Sequence, residues 1–187
     1  MRSLLALLLV LVSTPTLAQK GIGSYVGVGL TRFDHEVTVG SFYFEDTKGS
    51  YKIYGGYRFN ETMAFDAGYS KSGGFTHPIA GSVGPIGDYE ALLDAELELL
   101  NLRALVHARH VFFGLGYFDL TRTATVVGQA ELGAISRNAS DSDNGYSIAI
   151  GGQWDVARFG IRAEYEYFKV ENPTRLYTLG IGVQYGF

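Results

Sequence analysis

The chain of 187 residues has no cysteine. An exported protein without cysteine cannot rely on disulfides, which excludes the small stapled scaffolds of secreted toxin-like domains. The lipoprotein route to a membrane is excluded as well, because it needs a cysteine at the new N-terminus. Long apolar runs are also missing: beyond residue 18 nothing approaches the roughly 20 consecutive apolar residues of a spanning helix. Basic charge is in short supply, with 15 Lys and Arg against 19 Asp and Glu and a formal net charge of −4. That balance gives no basic surface for nucleic acid.

The one apolar run, Leu4 to Val12, follows Arg2 and precedes the small, polar stretch Ser13 to Ala18. A positive start, a short apolar stretch and a small-residue site read as a secretory signal peptide over residues 1–18, cleaved after Ala18. Residues 19–187 then form one domain. What is plentiful in it is glycine, 25 residues, and tyrosine plus phenylalanine at 13 and 12. Strands and interfacial aromatic girdles account for that mixture better than helices do. A membrane protein without spanning helices has to be a closed barrel, since only a closed sheet also pairs every backbone group in lipid.

The last stretch, Arg175 to Phe187, is the most informative. Tyr177, Leu179, Ile181, Val183, Tyr185 and Phe187 fall on one face of a strand, and Thr178, Gly180, Gly182, Gln184 and Gly186 on the other. A soluble sandwich would put large polar groups on the second face, whereas glycine suits a crowded interior. An apolar residue at every second position, closing on an aromatic, resembles the C-terminal assembly signal of bacterial outer-membrane β-barrels. The competing reading is the terminal strand of a secreted β-protein.

Eight strand-like segments are expected, at 22–33, 49–59, 62–71, 89–106, 110–123, 145–155, 159–170 and 175–187. Asn60-Glu61, His107 to Arg109 and Val156 to Arg158 read as tight turns. Asp34 to Lys48, Ser72 to Asp88 and Ala124 to Asn144 read as long polar loops, and Glu171 to Thr174, with Pro173, as a short one. Short turns alternate with long loops, which orients a transmembrane barrel with both termini in the periplasm. The fourth segment has the Ala, Leu and Glu content of a helix. Its strict alternation favours a strand, with Leu93, Ala95, Leu97 and Leu99 toward lipid and Asp94, Glu96 and Glu98 inside.

The segments Tyr25-Val26-Gly27-Val28-Gly29-Leu30, Tyr54-Gly55-Gly56-Tyr57-Arg58-Phe59-Asn60, Phe65-Asp66-Ala67-Gly68-Tyr69 and Gly180 to Phe187 together resemble the OmpA/OmpX-type family of eight-stranded outer-membrane barrels. The resemblance covers the mature chain. It implies an all-β, antiparallel up-and-down barrel in the outer membrane of a Gram-negative bacterium, without the peptidoglycan-binding domain that follows the barrel in OmpA. It further implies outer-membrane lipids and lipopolysaccharide as surroundings, the barrel-assembly machinery as a partner, and a protein or host-surface ligand at the external loops.

The charges assigned to the interior are Lys52, Arg58, Arg122 and Arg162 against Asp66, Asp94, Glu96, Glu98, Glu164 and Glu166. Charges in a narrow, poorly hydrated lumen must pair, with arginine forks bridging carboxylates. Eight strands leave an interior that side chains just fill, so a network that plugs the lumen is one reading. The excess of carboxylates keeps a narrow cation-preferring channel open as another. On the outer face, Tyr51, Tyr69, Tyr117, Tyr146, Tyr167 and Tyr177 form one aromatic belt, and Phe59, Phe65, Phe113, Trp154 and Phe187 the second.

The rival from a different class is a barrel enzyme that modifies lipid A. Such a hydrolase needs a nucleophile, a base and an orienting acid within reach of one another. Of the histidines, His35 and His77 fall in loops and His107 and His110 in a turn, and none stands two residues before a serine. Two histidines make an incomplete metal site, and no cofactor motif is read. Asn138-Ala139-Ser140 matches a glycosylation sequon that reads as plain loop in a bacterial outer membrane. The expectation is therefore a non-catalytic barrel with a structural or surface-interaction role through its external loops.

Overall fold

The computed structural model describes the backbone of residues 22–39, 42–72, 74–83, 87–130, 133–170 and 175–187. The signal-peptide reading and the Pro173 connection lie outside the described residues. The strands are β1 (Gly23–Val39), β2 (Phe42–Arg58), β3 (Met63–Ser72), β4 (Phe75–Val83), β5 (Gly87–Ala108), β6 (Val111–Ala130), β7 (Gly133–Val156), β8 (Phe159–Lys169) and β9 (Arg175–Gly186). All pairings are antiparallel. They follow chain order, β1 pairs with β9, and β3 pairs with β5, which closes the sheet on itself.

The nine strands make eight staves, because β3 and β4 are one stave interrupted by a bulge. Lys71 pairs with Glu98 and Phe75 with Ala95, so three residues on one side face two on the other. One extra residue of this kind bends a strand and re-aims the residues beyond it. Past the bulge, β4 pairs with β5 and carries Pro78, a residue that costs no ladder bond where its N–H side faces outward at an edge.

At the end that carries the termini the turns are tight. Asn60 Oδ1 accepts from the backbone N–H of Thr62 at 2.9 Å and of Met63 at 2.8 Å, so its short amide folds the chain locally. The other two turns are two residues long, and each includes a left-handed non-glycine residue, Arg109 (φ 60°) and Ala157 (φ 56°).

At the far end nearly all the described residues of the expected long loops at 34–48, 72–88 and 124–144 are instead strand. The β1–β2 ladder runs on to Val39↔Phe42 and the β6–β7 ladder to Ala130↔Gly133. A hairpin standing in water keeps its backbone hydrogen bonds without a buried face. The alternation of apolar and polar residues that marks a membrane strand is therefore absent there, and sequence periodicity does not show it.

A second correction concerns the fourth segment, β5. It is a strand, but its facing is opposite to the expected one. Leu97, Leu99, Asn101, Arg103, Leu105 and His107 are buried inside, while Leu102 and Val106 are exposed outside. Leucines occur on both faces of β5, so hydrophobicity alone leaves the parity undecided. The β3–β5 ladder decides it by setting Arg103 opposite Asp66. With the other parity, Arg103 would face lipid, which costs about 2–4 kcal/mol near the bilayer midplane, against about 0–1 kcal/mol for charges near the interface. Glu96 and Glu98 sit toward the far end and take the cheaper position.

The space inside is shared between glycines and aromatics placed directly opposite one another. Tyr54 lies over Gly27, Tyr25 over Gly56, Phe112 over Gly151 and Phe118 over Gly145, each pair being register partners. At these positions a Cβ would meet the ring, so only glycine lets the opposite aromatic fold across its strand.

Candidate functional site: the layered lumen

The inward residues of β2, β3, β5, β7 and β8 converge at mid-height. Arg103 is fully buried and grips Asp66 with two parallel bonds, Nε to Oδ1 at 2.9 Å and Nη2 to Oδ2 at 3.1 Å. Its Nη1 reaches Glu166 Oε2 at 2.7 Å and Glu164 Oε2 at 3.2 Å. Arg162 donates from Nη1 to Asp66 Oδ2 at 2.8 Å, and its Nη2 lies 2.8 Å from Glu164 Oε2. The Arg162 guanidinium also sits 4.3 Å from the Phe112 ring centre and 5.1 Å from that of Tyr54. Lys52 binds Glu164 and stands 3.6 Å from Glu166.

Asn101 Nδ2 donates to both oxygens of Glu166, at 3.1 and 3.0 Å, and Ser147 Oγ donates to Oε1 at 2.8 Å. Three cations, Lys52, Arg103 and Arg162, thus meet three anions, Asp66, Glu164 and Glu166. The mid-lumen layer is electrically balanced. Balance matters because a lone charge in a space of low polarity costs several kcal/mol, and only a partner with good geometry offsets it.

Of the ten charges expected in the lumen, Asp94, Glu96 and Glu98 are not on its inner face, and Arg122 and Arg58 are inward but at other levels. Asp94 is exposed. Glu96 and Glu98 face outward and clamp Lys71 between them, at 2.8 and 3.0 Å. Arg122 lies nearer the far end, 3.4 Å from Asp143. Arg58 lies near the terminal end, 3.4 Å from Asp155. All of these stand apart from the mid-lumen layer, the first three because β5 has the opposite facing. Arg103, Asn101 and Ser147 belong to the layer without having been expected there. The signal for the first two lies in the lower half of β5: Asn101, Arg103 and His107 share a parity, opposite Leu100, Leu102, Ala104 and Val106.

On the far side of the charges the lumen holds an apolar cluster. Phe33, Leu97, Leu99, Phe118, Leu120, Phe168, Val170 and Leu176 form one buried cluster, with Phe118 and Phe168 edge to face at 5.2 Å. Toward the terminal end the lumen widens into a cavity of about 830 Å³, open at that end. Of the histidines, His107 packs its ring against Phe112 and His110 stacks on Trp154. The side chains of His35 and His77 lie outside the described residues. Among the described residues no group of three or more His, Asp or Glu stands together as a metal site would require.

The outer face is the reverse of the inner one. Val28, Leu30, Ile53, Leu115, Ile148, Ile161, Leu179, Ile181 and Val183 are all more than half exposed, in rows around the wall. Tyr51, Tyr117, Tyr146 and Tyr167 ring it at one level, and Phe59, Phe65, Phe113, Trp154 and Phe159 at another. A closed sheet, charged within and apolar without, bounded by two aromatic rings, is a transmembrane β-barrel.

The family model for the outer membrane protein beta-barrel domain matches residues 4–187, and the chain belongs to that family. Among solved structures it is similar to Ail, the attachment invasion locus protein of Yersinia pestis, at 15% identity over 88% of this chain and 97% of that one, with a TM-score of 0.56. Neisserial surface protein A is similar at 19% identity over 88% and 97%, TM-score 0.52. Ail in complex with the heparin analogue sucrose octasulfate matches at 16% identity over 88% and 99%, TM-score 0.50. No curated protein sequence matches the chain. The protein is an eight-stranded barrel of the Gram-negative outer membrane.

Proposed function

We propose that the protein is a non-catalytic surface-interaction barrel, sealed through its lumen and working through the hairpins that rise from the end opposite the termini. The observation that carries this reading is the length of the β6–β7 ladder. It begins at Val111↔Gly152 and continues to Ala130↔Gly133, whereas β8 leaves β7 at Tyr146↔Lys169. On its other side β5 accompanies β6 to Tyr89↔Ala130, so the β5, β6 and β7 ladders continue together well beyond the residue at which β8 ends. In this reading both termini face the periplasm, the hairpins stand outside the cell, and the outward row from Tyr177 to Phe187 is what the assembly machinery recognises.

Sucrose octasulfate, the heparin analogue in complex with Ail, is a sulfated sugar. Here the hairpins carry more Asp and Glu than Lys and Arg, which disfavours a polyanion and favours a protein ligand. The cation-preferring channel loses its motivation, because Asp94, Glu96 and Glu98 are not in the lumen and the mid-lumen charges balance. Two experiments test the proposal. Refolded barrel in planar bilayers should give no current above baseline, and steady conductance from the unmodified protein would refute the seal. Replacing residues 124–139 by Asn-Gly should leave heat-modifiable migration intact and abolish binding to immobilised extracellular-matrix proteins. Undiminished binding would move the working surface elsewhere.

A further inference from the structure

The cavity at the terminal end is lined in part by Tyr25, Arg58, His107, Asp155 and Gln184. Asp155 has its partners: it accepts from Gln153 Nε2 at 2.9 Å, from Gln184 Nε2 at 3.4 Å and from Arg58 Nη1 at 3.4 Å. Other polar atoms around the cavity do not. Tyr25 Oη, Arg58 Nε, His107 Nε2 and Gln184 Oε1 are buried and have no hydrogen-bond partner among the described residues. Tyr25, His107 and Gln184 are each more than nine-tenths buried. Buried polar groups in native proteins are paired almost without exception, so a group of four around one cavity points to something that binds there.

The chemistry of the four indicates what. A phenol, a guanidinium and an imidazole can each donate, and only Gln184 Oε1 is purely an acceptor. Arg109, Arg158 and Glu61 also line the cavity. Converging unpaired donors match a ligand with several acceptor oxygens.

We propose that this vestibule binds a small oxyanion, a carboxylate or phosphate group, held by Arg58, Tyr25 and His107, with Gln184 accepting from an N–H or O–H of the same ligand. The site is separate from the hairpins and does not depend on which side of the membrane this end faces. The group can come from a free phosphate or from the terminal carboxylate of a peptide, and the test separates the two.

Residues 19–187, refolded in octyl glucoside, are titrated at constant ionic strength with sodium phosphate and separately with N-acetylglycine, while backbone amides are followed by NMR. Saturable shifts confined to Arg58, His107, Gln184 and their neighbours are expected with at least one probe. Saturation by phosphate alone assigns a phosphoryl ligand, and by N-acetylglycine alone a peptide carboxylate. Arg58→Gln should weaken binding at least tenfold and Tyr25→Phe several-fold, with heat-modifiable migration checking that each variant folds. Shifts that never saturate with either probe, or equal binding by folded Arg58→Gln and Tyr25→Phe, overturn the proposal.

Discussion

Tyr54 lies across Gly27, its partner in the β1–β2 ladder, with its hydroxyl 2.6 Å from where a Cβ on Gly27 would stand. Two residues along the same ladder, Tyr25 lies over Gly56 in the reciprocal arrangement. The barrel is narrow enough that aromatic rings and glycines divide the interior between them, and the Tyr54 ring in turn packs against Arg162.

Gly27→Val should therefore destabilise the barrel by about 1–3 kcal/mol, the usual effect of overpacking a filled interior. The measurement is urea unfolding of refolded protein, followed by the fluorescence of Trp154, the single tryptophan of the chain. Adding Tyr54→Leu should restore part of the loss. If the double variant is no more stable than Gly27→Val alone, the ring is not what excludes the side chain.

Arg103→Ala should be the more damaging of the two arginine truncations in the mid-lumen layer. Arg103 bonds Asp66, Glu164 and Glu166, and removing it leaves three buried carboxylates to two cations, Lys52 and Arg162. Breaking a buried pair from one side costs about 3–5 kcal/mol. Arg162→Ala should also destabilise, by less, because Arg103 still holds both of its carboxylate partners. Equal unfolding of wild type and Arg103→Ala would mean that the layer is not dry.

Glu96→Gln and Glu98→Gln should leave the unfolding midpoint essentially unchanged. Both carboxylates are half exposed and pair with a partly exposed Lys71, and ion pairs in such settings contribute little. A large loss of stability in either variant would place that carboxylate inside the barrel after all.

The facing of β5 can be read directly. In a cysteine scan from Leu97 to Val106, lipid-borne quenchers should reach labels at 100, 102, 104 and 106 and miss those at 97, 99, 101, 103 and 105. The opposite parity would return Arg103 to the lipid face, and a period near 3.6 residues would contradict the strand itself.

Much of this architecture follows from local pattern. The alternation from Tyr177 to Phe187, the abundance of glycine and aromatics, and the lack of both cysteine and a spanning helix are sufficient for an eight-stranded membrane barrel. The reason is that lipid on one side and a packed lumen on the other impose a two-residue period on every spanning strand. Lys52, Asp66, Arg162, Glu164 and Glu166 are assignable to the interior from sequence because their own strands have only one apolar face. Where that condition fails, sequence is silent. On β5 both faces are leucine-rich, and only pairing with β3, which sets Arg103 opposite Asp66, determines which face turns inward. Where no apolar face is required, as over residues 124–144, nothing in the sequence separates a strand from a loop. There the backbone hydrogen bonds of β6 with β7 decide, and these exist only once the two segments have been brought together.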